Sequence, residues 1–194
     1  DPRCGGMTDI TAALRRGEKG GALSPAELLH IAQVFKIARL LRDYHDEPSV
    51  LSRLFDCLTP NRKIENEIFA AIVSEEELAD SASPALAGIR RQMQNTHARI
   101  REHLNGMIHG GKYQKYLQEA IVTIRDGRYV VPVKAEHRSD VGGIVHDLSA
   151  TGSTVFIEPN AVVNENNRLR ELAAEEQAEI ERILYALAAL VTEQ

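Results

Sequence analysis

The sequence predicts a mainly α fold: a helical bundle with two long antiparallel helices and a small antiparallel β region between them. Three observations carry this expectation. Ala, Leu, Glu and Arg dominate, while aromatic residues make up 5% and Trp is absent, a bias towards long helices. Apolar residues recur at three- and four-residue spacing over much of the chain. That period breaks after Gly110-Gly111 into short β-prone runs separated by turn residues, and then returns.

The first helix starts at Ser24-Pro25-Ala26-Glu27, a capping box with proline at the first helical position. Leu28, Ile31, Val34, Phe35, Ala38 and Leu41 form its apolar stripe, and Asp46-Glu47-Pro48-Ser49 ends or interrupts it. Further helical stretches are expected over Val50–Cys57 and Asn61–Ala71. Ser83-Pro84 opens a long helix with a seam of Leu86, Ile89, Met93, Ile100, Leu104 and Met107, stopped by Gly110-Gly111. Its other faces carry Arg90, Arg91, Arg99 and Arg101, so the apolar seam is narrow, as in a coiled-coil arm.

Residues 120–125 and 128–134 are β-prone and flank Asp126-Gly127, a strong hairpin turn. Pro132 points to an edge strand. A second pair follows over Gly143–Leu148 and Ser153–Ile157, turning through Thr151-Gly152. From Asn160 to Gln194 the helical period resumes, with Leu169, Leu172, Ile180, Ile183, Leu187 and Leu190 on one seam. The two long helices are expected to zip their seams, placing Ile180 and Ile183 near Met93 and Ile100.

With 194 residues the chain can build one ordinary core or two small ones. Its net charge of −5 argues against a dedicated nucleic-acid binder. The charge is uneven, however: residues 84–140 hold ten Lys/Arg against five Asp/Glu, and residues 158–194 hold three against eight. A basic middle between acidic flanks suggests a local anion-facing surface. Cys4 and Cys57 stand far apart and suggest neither a metal site nor a disulfide framework, so a reducing, cytoplasmic setting is expected. No stretch approaches a membrane span. The start, Asp-Pro-Arg-Cys, carries neither Met nor a signal peptide and suggests a piece of a longer protein.

No catalytic signature is present: the sequence has no GxxxxGK[ST], HExxH, CxxC or GxSxG. Gly106, Gly110 and Gly111 before Lys112 and Lys115 make a weak phosphate-loop lookalike that is better explained as a helix stop and turn. The candidates for nucleic-acid contact are cationic: Arg125, Arg128, Lys134, His137 and Arg138 around the hairpin, and Lys112 and Lys115 after the glycines. Guanidinium and ammonium groups are what phosphate oxygens require. Alternation along the strand places Arg128, Val130, Pro132 and Lys134 on one outward face, with Tyr129, Val131 and Val133 inward. Phe156-Ile157-Glu158 matches a Phe-x-Glu base-pair wedge literally, but at the end of a strand Phe156 is expected to pack on the sheet.

The run RDGRYVVPVKAEHRSDVGGIVHDLSATGSTVFIEP, residues 125–159, resembles the second bacterial branch of the MutS proteins. That branch is the paralogue linked to suppressing homologous recombination rather than to mismatch repair. Residues 161–184, 20–29 and 80–86 are similar to it too, so the resemblance covers about residues 20–194. It implies a core segment over 1–83, an outgoing lever helix and loop over 84–118, a clamp-like β region over 119–159 and a returning lever helix over 160–194. In the parent protein it implies an ATPase domain using ATP and Mg, a nuclease-like Smr domain, a homodimer, and clamps that close on duplex DNA. It also implies an association with collided ribosomes. A ribosomal-RNA-engaging arm and a purely architectural coiled coil for self-association are therefore the rival expectations.

The chain by itself should neither release phosphate from ATP nor nick plasmid DNA. Turnover by purified protein, abolished by a point substitution within residues 1–194, would overturn it.

Overall fold

The computed structural model describes residues 10–44 and 61–193. The expected helix over Val50–Cys57, and Cys4 and Cys57, lie outside the described residues. The chain divides into two compact units: residues 1–88 with 176–194, and residues 89–175.

The first unit is helical. Helices α1 (Thr11–Glu18), α2 (Pro25–Tyr44) and α3 (Arg62–Ala71) are followed by a short antiparallel ribbon of β1 (Ile72–Ser74) and β2 (Glu77–Leu78). Neither α1 nor the ribbon is among the elements expected from the sequence. At the start of α2, Ser24 Oγ accepts the Glu27 N–H, half of the expected capping box; the Glu27 carboxylate pairs instead with Arg16. Asn61 caps α3, its Oδ1 accepting from the Lys63 and Ile64 N–H groups. Leu28, Ile31 and Phe35 of α2 meet Ile64 and Ile68 of α3 in one core with Leu86, Ile183, Leu187 and Val191. Beside it, buried Glu65 takes both donors of a bidentate Arg39 fork, at 3.2 and 3.1 Å.

The second unit holds a four-stranded antiparallel sheet in the order β3-β4-β6-β5. The strands are β3 (Thr123–Arg125), β4 (Arg128–Lys134), β5 (Gly143–Leu148) and β6 (Thr154–Pro159). Asp126 and Gly127 both take positive φ, 57° and 71°, as a tight hairpin turn requires. Tyr129, Val131, Val133, Val155 and Ile157 supply one face to a core completed by Ile100, Leu104, Ile108 and Leu169. Gly143 is needed where β5 meets β6: a Cβ there would lie 2.1 Å from the Glu158 carbonyl oxygen, far inside van der Waals contact.

Two long helices run through both units, α4 (Pro84–His109) and α5 (Val163–Thr192). They are the helices the period predicts, but the expected bundle of two long antiparallel lever helices is not what the structure shows. Their apolar residues do not form one shared seam. Leu86, Ile180 and Ile183 belong to the core of the first unit, whereas Met93 and Ile100 belong to that of the second. The predicted approach of Ile180 and Ile183 to Met93 and Ile100 is therefore corrected. A helical period tells which face is apolar; it does not tell whether a helix, a sheet or a loop covers that face.

Pro132 is a second correction. It lies in β4, which has neighbours on both sides, and not on an edge strand. Its pairing with β3 ends at Val130, and the Pro132 carbonyl accepts the Gln118 N–H on that same side. The missing N–H therefore points away from β6 and costs no ladder bond there.

Two stability predictions follow from this packing. Gly143→Ala should destabilise the second unit by about 1–3 kcal/mol, because backbone must move to admit the methyl group; an unchanged urea midpoint would refute this. The second concerns Glu179, whose carboxyl is held down to about 2 by hydrogen bonds from Arg182 and from Ser83, against opposing burial. Its folded value lies below the ordinary 4.5, so its contribution is full above that pH and is lost as pH falls towards 2. Glu179→Gln should therefore lower stability at neutral pH and shrink the loss between those limits. A parallel acid-unfolding curve would refute the assignment.

Candidate nucleic-acid interface

The structure sorts the seven cationic candidates into two groups at opposite ends of β4. At the hairpin end, Arg125 and Arg128 are directly paired across β3 and β4. The Arg125 guanidinium lies over the Phe156 ring at 4.3 Å and reaches Asp147 Oδ2 at 3.4 Å. Phe156 thus packs on the sheet under an arginine.

Arg128 is more deeply engaged. Its side chain is 12% exposed, and its Nε donates to Glu158 Oε2 at 2.6 Å. One terminal nitrogen donates to Asn167 Oδ1 at 2.8 Å and the other to the Val163 carbonyl at 3.5 Å. The expected outward face of Arg128, Val130, Pro132 and Lys134 is therefore corrected. Val130 and Pro132 are buried and Arg128 is nearly so, leaving Lys134 half-exposed. A strand in the middle of a small sheet is covered on both faces when a helix start and long side chains lie over the second one.

Glu158, fully buried, organises this end. Besides Arg128 it accepts from Asn166 Nδ2 at 2.6 Å and from His146 Nε2 at 3.2 Å. His146 sits at the irregularity in the β5–β6 register, between Val145 and Asp147. Burial pushes the Glu158 carboxyl up, but the bonds from Arg128, His146 and Asn166, with the arginine charge, outweigh it and hold the group below its ordinary range. Asn166 also stands in for a strand: its Oδ1 accepts the Tyr129 N–H at 3.1 Å and its Nδ2 donates to the Tyr129 carbonyl at 3.3 Å. On the Tyr129 hydroxyl, His97 Nδ1 makes a 2.7 Å hydrogen bond, and burial, then the charge of Arg101, lowers the imidazole pKa.

At the other end of β4 the cations have fewer internal partners. Lys115 Nζ lies 5.0 Å over the Tyr116 ring, and that ring packs on His137 with centroids 5.0 Å apart. Leu117 bridges Val133, which brings the 112–117 loop against the end of β4. Lys134 closes the strand and Arg138 follows the short 3-10 turn Ala135–His137. His137 is held by Asp140 at 2.8 Å, whereas Lys134 and Arg138 have no ion-pair partner among the described residues. Lys112, with its Nζ 5.0 Å from the Tyr113 ring, is exposed on the same loop. Gly110 and Gly111 follow the last residue of α4, His109, as a helix stop.

Sequence reasoning missed Glu158, Asn166, Asn167, His146 and Tyr116. One signal was available: Asn164, Asn166 and Asn167 crowd the first five residues of a helix, where asparagine is a weak helix former with a polar group to place elsewhere. Among the described residues no three His, Cys, Asp or Glu side chains gather as a metal site, and no helix is long and apolar enough to cross a membrane.

No family model matches the chain. It is 50% identical over 190 residues to the protein named Endonuclease MutS2 of Acetivibrio thermocellus, covering 94% of this chain and 24% of that protein. It is 49% identical over 192 residues to the Endonuclease MutS2 of Ruminiclostridium cellulolyticum, covering 96% of this chain and 24% of that protein. The protein of that name from Pelotomaculum thermopropionicum is 49% identical over 193 residues, with 97% and 25% covered. The chain thus spans about a quarter of the length of these relatives. Over nearly all of its own length it is similar to proteins named Endonuclease MutS2, which supports the MutS2 branch of the MutS family.

Proposed function

We propose that this chain is the nucleic-acid-gripping portion of a MutS2-like protein, and that it holds duplex DNA by its phosphates without reading sequence. The observation that carries this is the cationic end of the sheet. Lys115 and His137 meet there around Tyr116, with Lys134, Arg138 and Lys112 on the adjoining strand end, turn and loop. Lys112, Lys115, Lys134 and Arg138 have no carboxylate partner among the described residues, unlike His137, and are available to phosphate oxygens; such contacts fix a protein on a duplex without sequence information. Two half-exposed tyrosines beside the lysines give this surface a flat, rigid backing. The similarity to proteins named Endonuclease MutS2 supports a DNA-directed role. In this reading ATP hydrolysis, with its Mg ion, and nuclease chemistry belong to other parts of a longer, dimeric protein, and this chain supplies grip.

Backbone contact of this kind is electrostatic and releases counterions, so affinity falls steeply with salt. The double substitution Lys115→Ala with Arg138→Ala, in a full-length protein carrying this chain, should weaken duplex binding about equally for unrelated sequences. It should also flatten the log–log salt dependence by about two units. Unchanged affinity and slope would remove this surface from the DNA grip. Loss of ribosome binding with DNA binding intact would assign the same cations to ribosomal RNA instead.

A further inference from the structure

We infer that Arg128 is a positioning residue: through Glu158 and Asn166 it fixes the start of α5 to the sheet, and it is not itself a phosphate ligand. The β4–β6 ladder runs from Val131–Ile157 to Lys134–Thr154, so opposite Tyr129 no strand residue is paired on the β6 side. Asn166 closes that gap from α5 with a donor and an acceptor on the two Tyr129 backbone groups. Its amide is held in this orientation because the second Nδ2 hydrogen goes to Glu158. Glu158, in turn, is a buried carboxylate whose charge is balanced by Arg128. Arg128 completes the circuit by donating to Asn167 and to the Val163 carbonyl, both on α5. Nε and both terminal nitrogens of the guanidinium are thus engaged by acceptors within the chain. A phosphate would have to draw the side chain away from a fully buried carboxylate, leaving that charge unpaired.

A planar fork that bridges three acceptors cannot be replaced by a point charge, which gives the test its discriminating variant. The proteins compared are wild type, Arg128→Lys, Arg128→Ala, Glu158→Gln and Lys115→Ala/Arg138→Ala, each full length. The measurements are hydrogen exchange of the peptide bearing the Tyr129 amide, and duplex affinity across a salt series. Because a buried group left without its partner is costly, Arg128→Lys and Glu158→Gln should each speed Tyr129 exchange by about tenfold or more. Both should weaken duplex binding with the salt slope unchanged, whereas the Lys115/Arg138 pair should flatten the slope and leave Tyr129 exchange alone. Wild-type exchange in Arg128→Lys would overturn the inference. So would an Arg128→Ala protein whose salt slope drops by about one unit, as loss of a phosphate contact requires. The binding arm rests on the nucleic-acid reading and the exchange arm does not. If no variant alters duplex binding, that reading fails, and the joint stands or falls on Tyr129 exchange.

Discussion

A carboxylate with no exposed surface is expensive to bury, and Glu158 is tolerable only because three different elements donate to it. Arg128 comes from β4, His146 from an irregular position in β5, and Asn166 from the first turns of α5. None of these is near Glu158 in sequence except Asn166, so the pairing exists only when the sheet and the start of α5 are both in place. Much of the second unit follows from that requirement. β4 and β6 must lie side by side, β5 must swell to bring its histidine round, and α5 must begin where an asparagine can complete the ladder at Tyr129. A half-formed version would leave a charge unpaired, so the arrangement favours all of its bonds together.

The same strand ends in a different electrostatic state. Beside its last residue, Lys134, the 112–117 loop sets Lys112 and Lys115 over tyrosine rings, and of the candidates there only His137 has a carboxylate partner among the described residues. A net charge of −5 conceals this, because compensation is local and a bound partner meets only the nearest groups. At the hairpin end arginine serves the fold, where its planar fork suits several fixed acceptors. At the far end lysines predominate, with flexible stems and point charges that suit phosphates of variable position.

The long helices show a related division. Leu86 of α4 joins the helical core of the first unit, while Ile100, Leu104 and Ile108 of the same helix cover the sheet of the second. Along α5, Leu169 faces the sheet core and Ile183, Leu187 and Val191 the helical one. An uninterrupted stripe therefore serves two different environments. The stripe needs only to stay apolar, so its residues carry no mark of the change of partner.

What the sequence determined by itself was local. Ser24-Pro25 and Ser83-Pro84 set helix starts, Asp126-Gly127 demanded a positive-φ turn, Gly110-Gly111 ended α4, and alternation placed Tyr129, Val131 and Val133 inward. Each depends on bonding or sterics within a few residues. The cationic character of residues 112–138 was legible for the same reason, since charge is a property of composition. Tertiary structure alone decided which cations are available. Arg128 and Lys134 are six places apart on one strand and look equivalent in sequence, yet one faces a buried carboxylate thirty residues away and the other ends the strand half-exposed. That difference comes from where β6 and α5 lie over β4, a long-range packing outcome that no local pattern encodes.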